Sequence, residues 1–339
     1  MMRCLFLSLL VPLLLRADAR PTLTGEERTN GEQVLKEVTP MLPEARNTCA
    51  RVVDEKGEAL AAATWVGADG YFLTKASETP EIEKSRICWA NAKSAAIREI
   101  KRLPGHDLLL AQAVGVADVK PVAFASDAPL PEHAEWVAAP VKGGQEIRIG
   151  VISARTRGIP GLGAAMGIRM DEKPGKAGVR ILSIAEDSPA GAAGLQAGDV
   201  ILKIDAEPVT DFKAVHESIK KRQPGDQVRV TYKRKDQVEV TRVRLASRTR
   251  VMMNWEGEDF ANGGISIRTD HFARVLQHDL PLGPRDMGGP LYDLKGRALG
   301  VNIARVDRVT TFALPAAVFW KEVASLIEAD RHPPRAIRP

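Results

Sequence analysis

CARVVDEKGEALAAATWVGADGYFLT, residues 49–74, alternates short apolar runs with turn-forming residues. CARVV, ALAAATWVG and YFLT each have the length of a strand. Glu55-Lys56-Gly57 and Ala68-Asp69-Gly70 between them supply tight turns. The same texture runs on through RICWA, AAIREIKRL, DLLLAQAV, WVAAPV and IRIGVISA as far as Arg155. Several short strands at this spacing predict a β-barrel or sandwich rather than a sheet with helical crossovers.

Moving outward, the first residues differ in kind. Arg3 precedes an apolar run from Leu5 to Leu15, and Ala17-Asp18-Ala19 follows with the small residues that a signal peptidase accepts. The run is short for a bilayer and Pro12 interrupts it, so residues 1–19 are expected to be a secretory signal cleaved near Ala19, with no stable membrane span. That places the mature chain in the periplasm or outside the cell. Residues 20–47 form a polar lead-in with one amphipathic stretch, Glu32 to Leu42, which puts Val34, Leu35, Val38, Met41 and Leu42 on one side of a helix.

Beyond the Gly-rich stretch from Arg157 to Gly163 a second texture begins. A helix is predicted from Asp211 to Arg222, with Asp211 as its cap and Pro224-Gly225 turning the chain after it. Two V-x-V runs around Lys235-Asp236 then make a hairpin. After Ser247 the β pattern of the first region returns in VLQHD, GGPLYDL, RALGVNIA and TFALPA. These runs are too few for a barrel of their own and are expected to complete one interrupted near Arg155. A last helix is predicted over Val318–Ala329, before a Pro/Arg tail, 330–339, expected to be disordered.

With 339 residues the chain suits two or three domains. Its 48 basic residues face 43 acidic ones, and the short runs Lys220-Lys221-Arg222 and Lys233-Arg234-Lys235 have acidic neighbours. Such runs read as solvated faces, not as a nucleic-acid surface. Neither metal-ligand spacing nor a phosphate-cradling glycine loop occurs, so no cofactor or metal is expected.

Two resemblances sharpen this outline. DSPAGAAGLQAGDVILKIDAEPV, residues 187–209, resembles the signature of PDZ domains and departs from it mainly at Ala206 and Glu207. The resemblance implies a PDZ domain over 160–247 that binds peptide C-termini or exposed strands. Met166, Gly167 and Ile168 would form its carboxylate-binding loop, with Val215, His216 and Ile219 on the opposite helical wall. Backbone N–H groups converging on a carboxylate, with the peptide added as a strand, would supply the binding.

The flanking β regions, 48–155 and 248–329, resemble trypsin-like proteases of the HtrA/DegP type. TWVGADGYFLTKASE is similar to the segment that carries the family's general base, and HDLLLAQA to the one that carries the orienting aspartate. VLQHDLPLGPRDMGGPLYDLKGRALGVNIA is similar to the nucleophile loop and its flanks. The implied fold is mostly β: a trypsin-like double β-barrel with the PDZ domain inserted before the nucleophile loop.

Carried over residue by residue, the resemblance implies a degenerate triad. Asp107 is present as the orienting acid, Ser77 stands where the base histidine belongs, and Met287 stands at the nucleophile's place. Arg285 replaces the glycine whose N–H helps to form the oxyanion hole. A thioether cannot form an acyl intermediate and a hydroxyl cannot replace imidazole as a base. The expectation is therefore an inactive homologue that binds peptides. Its partners would be peptide or protein termini, with a homo-oligomer or an active relative as further candidates.

Two alternatives stand beside it. One is an endopeptidase whose chemistry has moved, for which Ser77 with Lys75 or Asp107 is the candidate, although Lys75 on a loop reads as a solvated charge. His106 and Asp107, adjacent on a strand, point to opposite faces, and His278-Asp279 is expected to hold its loop together. The other alternative is a structural envelope scaffold. Cys49 and Cys88, the two cysteines left after loss of Cys4 with the signal, are expected to form a disulfide. In the resembling fold their strands are neighbours.

Overall fold

A computed structural model describes residue 24 and residues 30–89, 93–171, 178–185, 187–255 and 263–333, with the side chains of Met41 and of residues 253–255 left aside. The expected signal and the end of the expected tail, residues 334–339, lie outside the described residues.

Helix α1, Glu32–Val38, is shorter than the amphipathic pattern implies, because Pro40 converts the next turn into a 3₁₀ segment, Thr39–Met41. Val38 and Leu42 are nonetheless buried, as the pattern requires. Six antiparallel strands follow: β1 Cys49–Val53, β2 Ala59–Trp65, β3 Tyr71–Lys75, β4 Arg86–Trp89, β5 Lys93–Leu103 and β6 Leu108–Ala113. They close into a barrel in the order β1-β2-β3-β6-β5-β4. Trp65, Phe72, Ile87 and Leu109 fill it.

A second barrel opens with β7, Trp136–Val141, and β8, Glu146–Ile159, and is then interrupted. The insert begins at β9, Ala164–Ala165, and continues through β10 Ile168–Met170, β11 Val179–Ile184, the short helix α2 Pro189–Ala192, β12 Val200–Ile204 and β13 Glu207–Pro208. Helix α3, Phe212–Lys220, is capped by the Asp211 side chain, which accepts the Ala214 N–H at 2.8 Å. Hairpin β14 Gln227–Arg234 and β15 Gln237–Arg244 turns at Lys235, as read from the sequence. The insert's main sheet runs β10-β11-β12-β14-β15, so β10 has a free edge.

Strand β16, Ala246–Ser247, pairs with β9 and so closes the neck of the insert. Next come helix α4, Arg248–Trp255, and β17 Phe272–His278, β18 Pro290–Asp293, β19 Ala298–Asp307 and β20 Thr310–Pro315. With β7 and β8 these strands complete the second barrel, order β17-β20-β19-β18-β7-β8. β8 pairs with β17 across the insertion point. The interrupted barrel is therefore as expected, with its first part reaching Ile159 rather than Arg155.

Helix α5, Ala316–Arg331, leaves the second barrel and docks on the first. Asp330 accepts hydrogen bonds from the Tyr71 hydroxyl and Arg98, and Arg331 forms a two-pronged ion pair with Asp69. This corrects the reading of 330–339 as a free tail, since Asp330 and Arg331 belong to the last, anchored helical turn. Phe319, Val323 and Ile327 enter a core shared by both barrels, together with Tyr71, Leu108, Val275 and Val301.

Candidate functional site

Ser77 lies just after β3, and Asp107 just before β6, where neighbouring strands bring the two together. The backbone at Asp107 is left-handed, φ 56°, a conformation that a short polar side chain tolerates better than most. Its carboxylate accepts three hydrogen bonds from two residues. One oxygen accepts the Ser77 N–H at 2.8 Å, while the other accepts the Ser77 hydroxyl at 2.8 Å and the Lys75 ammonium at 2.5 Å.

Lys75 is fully buried and also donates to the Arg268 carbonyl at 3.1 Å. The reading of Lys75 as a solvated charge is thereby overturned. Asp107 and the backbone of the returning chain enclose its ammonium, which makes Lys75 a buried ion-pair partner.

Around this pair the two halves of the molecule are stitched together. Arg268, buried, donates to the carbonyls of Asp270, Pro104 and His271, and burial lowers its pKa. Glu78 accepts the Ile267 N–H at 2.8 Å, and burial raises its carboxyl pKa. From the insert, the turn at Gly225 rests directly on Ser77: a Cβ placed on Gly225 would lie 3.1 Å from the Ser77 Cβ. At Ser77, the position expected from the sequence to be that of the base, the insert's own backbone therefore packs closely.

The loop that carries Met287 is held tightly by its own backbone and by the first barrel. Pro284–Asp286 form a 3₁₀ turn in which the Met287 N–H donates to the Pro284 carbonyl at 3.2 Å. An oxyanion hole needs that N–H free and aimed at the substrate. The Met287 side chain is wholly buried among Leu276, Leu282, Leu291 and Leu299. Arg285 points outward, 3.7 Å from Glu58, with both side chains largely exposed. The loop is held against the first barrel where Ala62 N–H donates to the Met287 carbonyl and the Thr64 hydroxyl to that of Gly288. Gly288 has φ 97°, and a Cβ there would meet the Ala62 carbonyl at 2.2 Å. Only glycine allows this approach.

His106 and His278 have partners of their own. His106 faces Glu322 of α5 at 3.4 Å, away from Asp107. His278 is fully buried, its Nε2 2.8 Å from the Asn302 side-chain Oδ1 and its Nδ1 accepting the Leu280 N–H. Burial pushes its pKa down to about 4. Asp279 accepts the Val151 N–H at 2.7 Å. Both residues hold their loop, as expected.

Cys49 and Cys88 are free thiols, which corrects the expected disulfide. Their strands are indeed neighbours, but Cys88 stands opposite Arg51 and Cys49 opposite Thr64 on the other side of β1. Such a diagonal offset puts Cα atoms about 7–8 Å apart, beyond the span of an S–S bond. Burial raises the Cys49 pKa to about 12.

The second site is a cavity of about 600 Å³ between β10 and α3. It brings together all six residues read from the sequence: Met166, Gly167 and Ile168 on one side, Val215, His216 and Ile219 on the other. Gly167 has φ 78°, and a Cβ there would strike the Ser188 Cβ at 2.4 Å. Val215 and Ile219 are buried and also serve the insert's core, whereas His216 is exposed and stacks on Phe212. Sequence reasoning missed α4, whose Arg248, Val251 and Met252 line the same cavity.

Residues 164–245 match the family model described as the PDZ domain. The chain therefore carries a PDZ domain, set within the second of its two barrels. No curated protein matches the chain in sequence. Similar solved structures include the HtrA-type protease AlgW with a decapeptide, at 14% identity, 62% of this chain, 98% of that chain and TM-score 0.30. The serine endoprotease from Yersinia pestis stands at 16% identity, 62% and 97% coverage and TM-score 0.29. A protein of M. tuberculosis H37Rv, crystallised as a serine-to-alanine mutant in an inactive form, stands at 13% identity, 89% and 96% coverage and TM-score 0.46.

Proposed function

We propose that this chain is an exported, proteolytically inactive HtrA-like protein that works by binding, with its PDZ groove taking peptide C-termini or exposed strands. One observation carries the loss of chemistry. At the nucleophile's position stands a buried methionine whose N–H is spent on the Pro284 carbonyl, so neither nucleophile nor oxyanion donor faces a substrate. Ser77 offers no substitute. Its hydroxyl is committed to Asp107, it is buried, and Gly225 covers it. What remains open is the groove, with a strand edge on one wall and an apolar helix face on the other.

The test is casein cleavage by the mature chain beside a Met287→Ser, Ser77→His, Arg285→Gly variant, with folding checked by thermal melting. The natural chain is expected to be silent. The variant is expected to stay silent too, because the turn at Gly225 packs on Ser77 and would crowd a larger side chain there. Cleavage by the natural chain, with fluorophosphonate labelling of one serine, would overturn the reading. A C-terminal peptide library is expected to yield binders; a library without one would favour the scaffold alternative.

A further inference from the structure

The groove has a third wall. Arg248, Val251 and Met252 line it from α4, beyond the end of the matched domain at residue 245. The neck of the insert fixes their placement: β16 pairs with β9, and the Arg248 N–H donates to the Gly163 carbonyl at 2.9 Å. Val251 is buried, its Cγ1 3.4 Å from where a Cβ on Gly167 would sit. The returning chain therefore packs against the loop expected to receive a ligand's carboxylate.

The charge of the lining is one-sided. Its ionisable residues are Arg169, His216, Lys220 and Arg248, with no carboxylate among them. Lys220 and Arg248 are exposed, from two different helices, and the lining is otherwise mainly apolar. A neutral peptide would satisfy this cavity with its terminal carboxylate alone. Further negative charge near the end of the peptide would be attracted by both cations across a partly desolvated cleft.

We infer that the groove selects acidic peptide C-termini with an apolar last residue, and that α4, through Arg248, Val251 and Met252, supplies part of that selection from outside the PDZ domain. This rests on the peptide-binding reading given above.

The experiment uses the mature full-length chain and fluorescence anisotropy with fluorescein-Gly-Ser-Glu-Asp-Glu-Ala-Val, its Gln-Asn-Gln counterpart, and the acidic peptide with an amidated end. At low salt the acidic free-carboxylate peptide is expected to bind about fivefold tighter than the neutral one, from two exposed charge pairs. Raising NaCl to 0.5 M should bring the ratio toward one. Lys220→Gln with Arg248→Gln should remove the preference, while a charge-matched control on the same domain, Arg229→Gln with Arg242→Gln, should keep it. Val251→Ala with Met252→Ala should weaken both peptides alike.

Equal binding of acidic and neutral peptides overturns the inference and leaves peptide binding standing. So does loss of the preference in the control pair, which would assign it to overall charge. Undiminished binding of the amidated peptide overturns the claim on the terminus. If no peptide binds at all, the peptide-binding reading fails and the inference falls with it.

Discussion

Met287 shares the interior of the second barrel with Leu276, Leu291 and Leu299, and that setting governs what Met287→Ser would do. Replacing a buried methionine with a small residue costs about 2–5 kcal/mol, so Met287→Ser is expected to leave a void and lower stability by that much in urea unfolding. Lys75 teaches a similar lesson at the neighbouring position. Its ammonium and the Asp107 carboxylate are both buried, and removing one strands the other. Lys75→Ala is therefore expected to lower unfolding stability by about 3–5 kcal/mol in urea, against about 1 kcal/mol for Ser77→Ala. A relocated Ser–Lys chemistry predicts the reverse emphasis, with both changes abolishing activity and neither costing much stability.

His278 gives the molecule an acid-side weakness. The folded chain holds its imidazole neutral, with a pKa near 4, whereas an unfolded chain binds a proton near 6.5. Its contribution is thus fully present above pH 6.5 and drains away as pH falls toward 4, by about 1.4 kcal/mol per unit inside that window. Thermal melts between pH 7 and 4 should show a decline that flattens in His278→Gln. An unchanged slope in that variant would remove His278 from the account.

At the scale of elements, sequence pattern and structure agree where periodicity is strong. The strands between residues 49 and 113, the capped helix α3 and the hairpin at Lys235 were all legible, because each is set by local alternation and turn residues. Register was not. The positions of Cys49 and Cys88 along β1 and β4 depend on how a six-stranded sheet closes, which no local pattern encodes. Nor was the burial of Lys75, because the group that encloses it, Arg268, is far away in the chain. Helix α4 escaped for a third reason: with eight residues, no acidic residue in its first turn and no basic one in its last, it carries too few signals to stand out from the β pattern on either side. The six groove residues were found because the resemblance named their loop; the α4 residues beyond the motif had no such guide.

On the scale of the whole molecule, three bodies depend on one another through few joints. Helix α5 begins in the second barrel and ends on the first, where Asp330 and Arg331 meet Tyr71, Arg98 and Asp69. The insert touches the first barrel at Ser77 through Gly225, and the β9–β16 pair closes its neck. Most of this arrangement could be anticipated as a list of parts. The contacts between parts could not, because each joins residues widely separated along the chain.

The interruption of the second barrel has a kinetic corollary. Ile159 of β8 pairs with Phe272 of β17, so one hairpin of that barrel must close a loop of about 110 residues, an unfavourable step for an unstructured chain. If the insert folds first, its β9–β16 neck delivers both strands to the same place and removes most of that entropy. Pulse-labelled hydrogen exchange should then find β11, β12 and β14 protected before β8 and β17, and Ile201→Ala, which hollows the insert's core, should slow protection of β17 while leaving β1 to β6 on their own schedule. On this account the PDZ domain nucleates the barrel that carries it, which gives the insert a role in folding that needs no ligand.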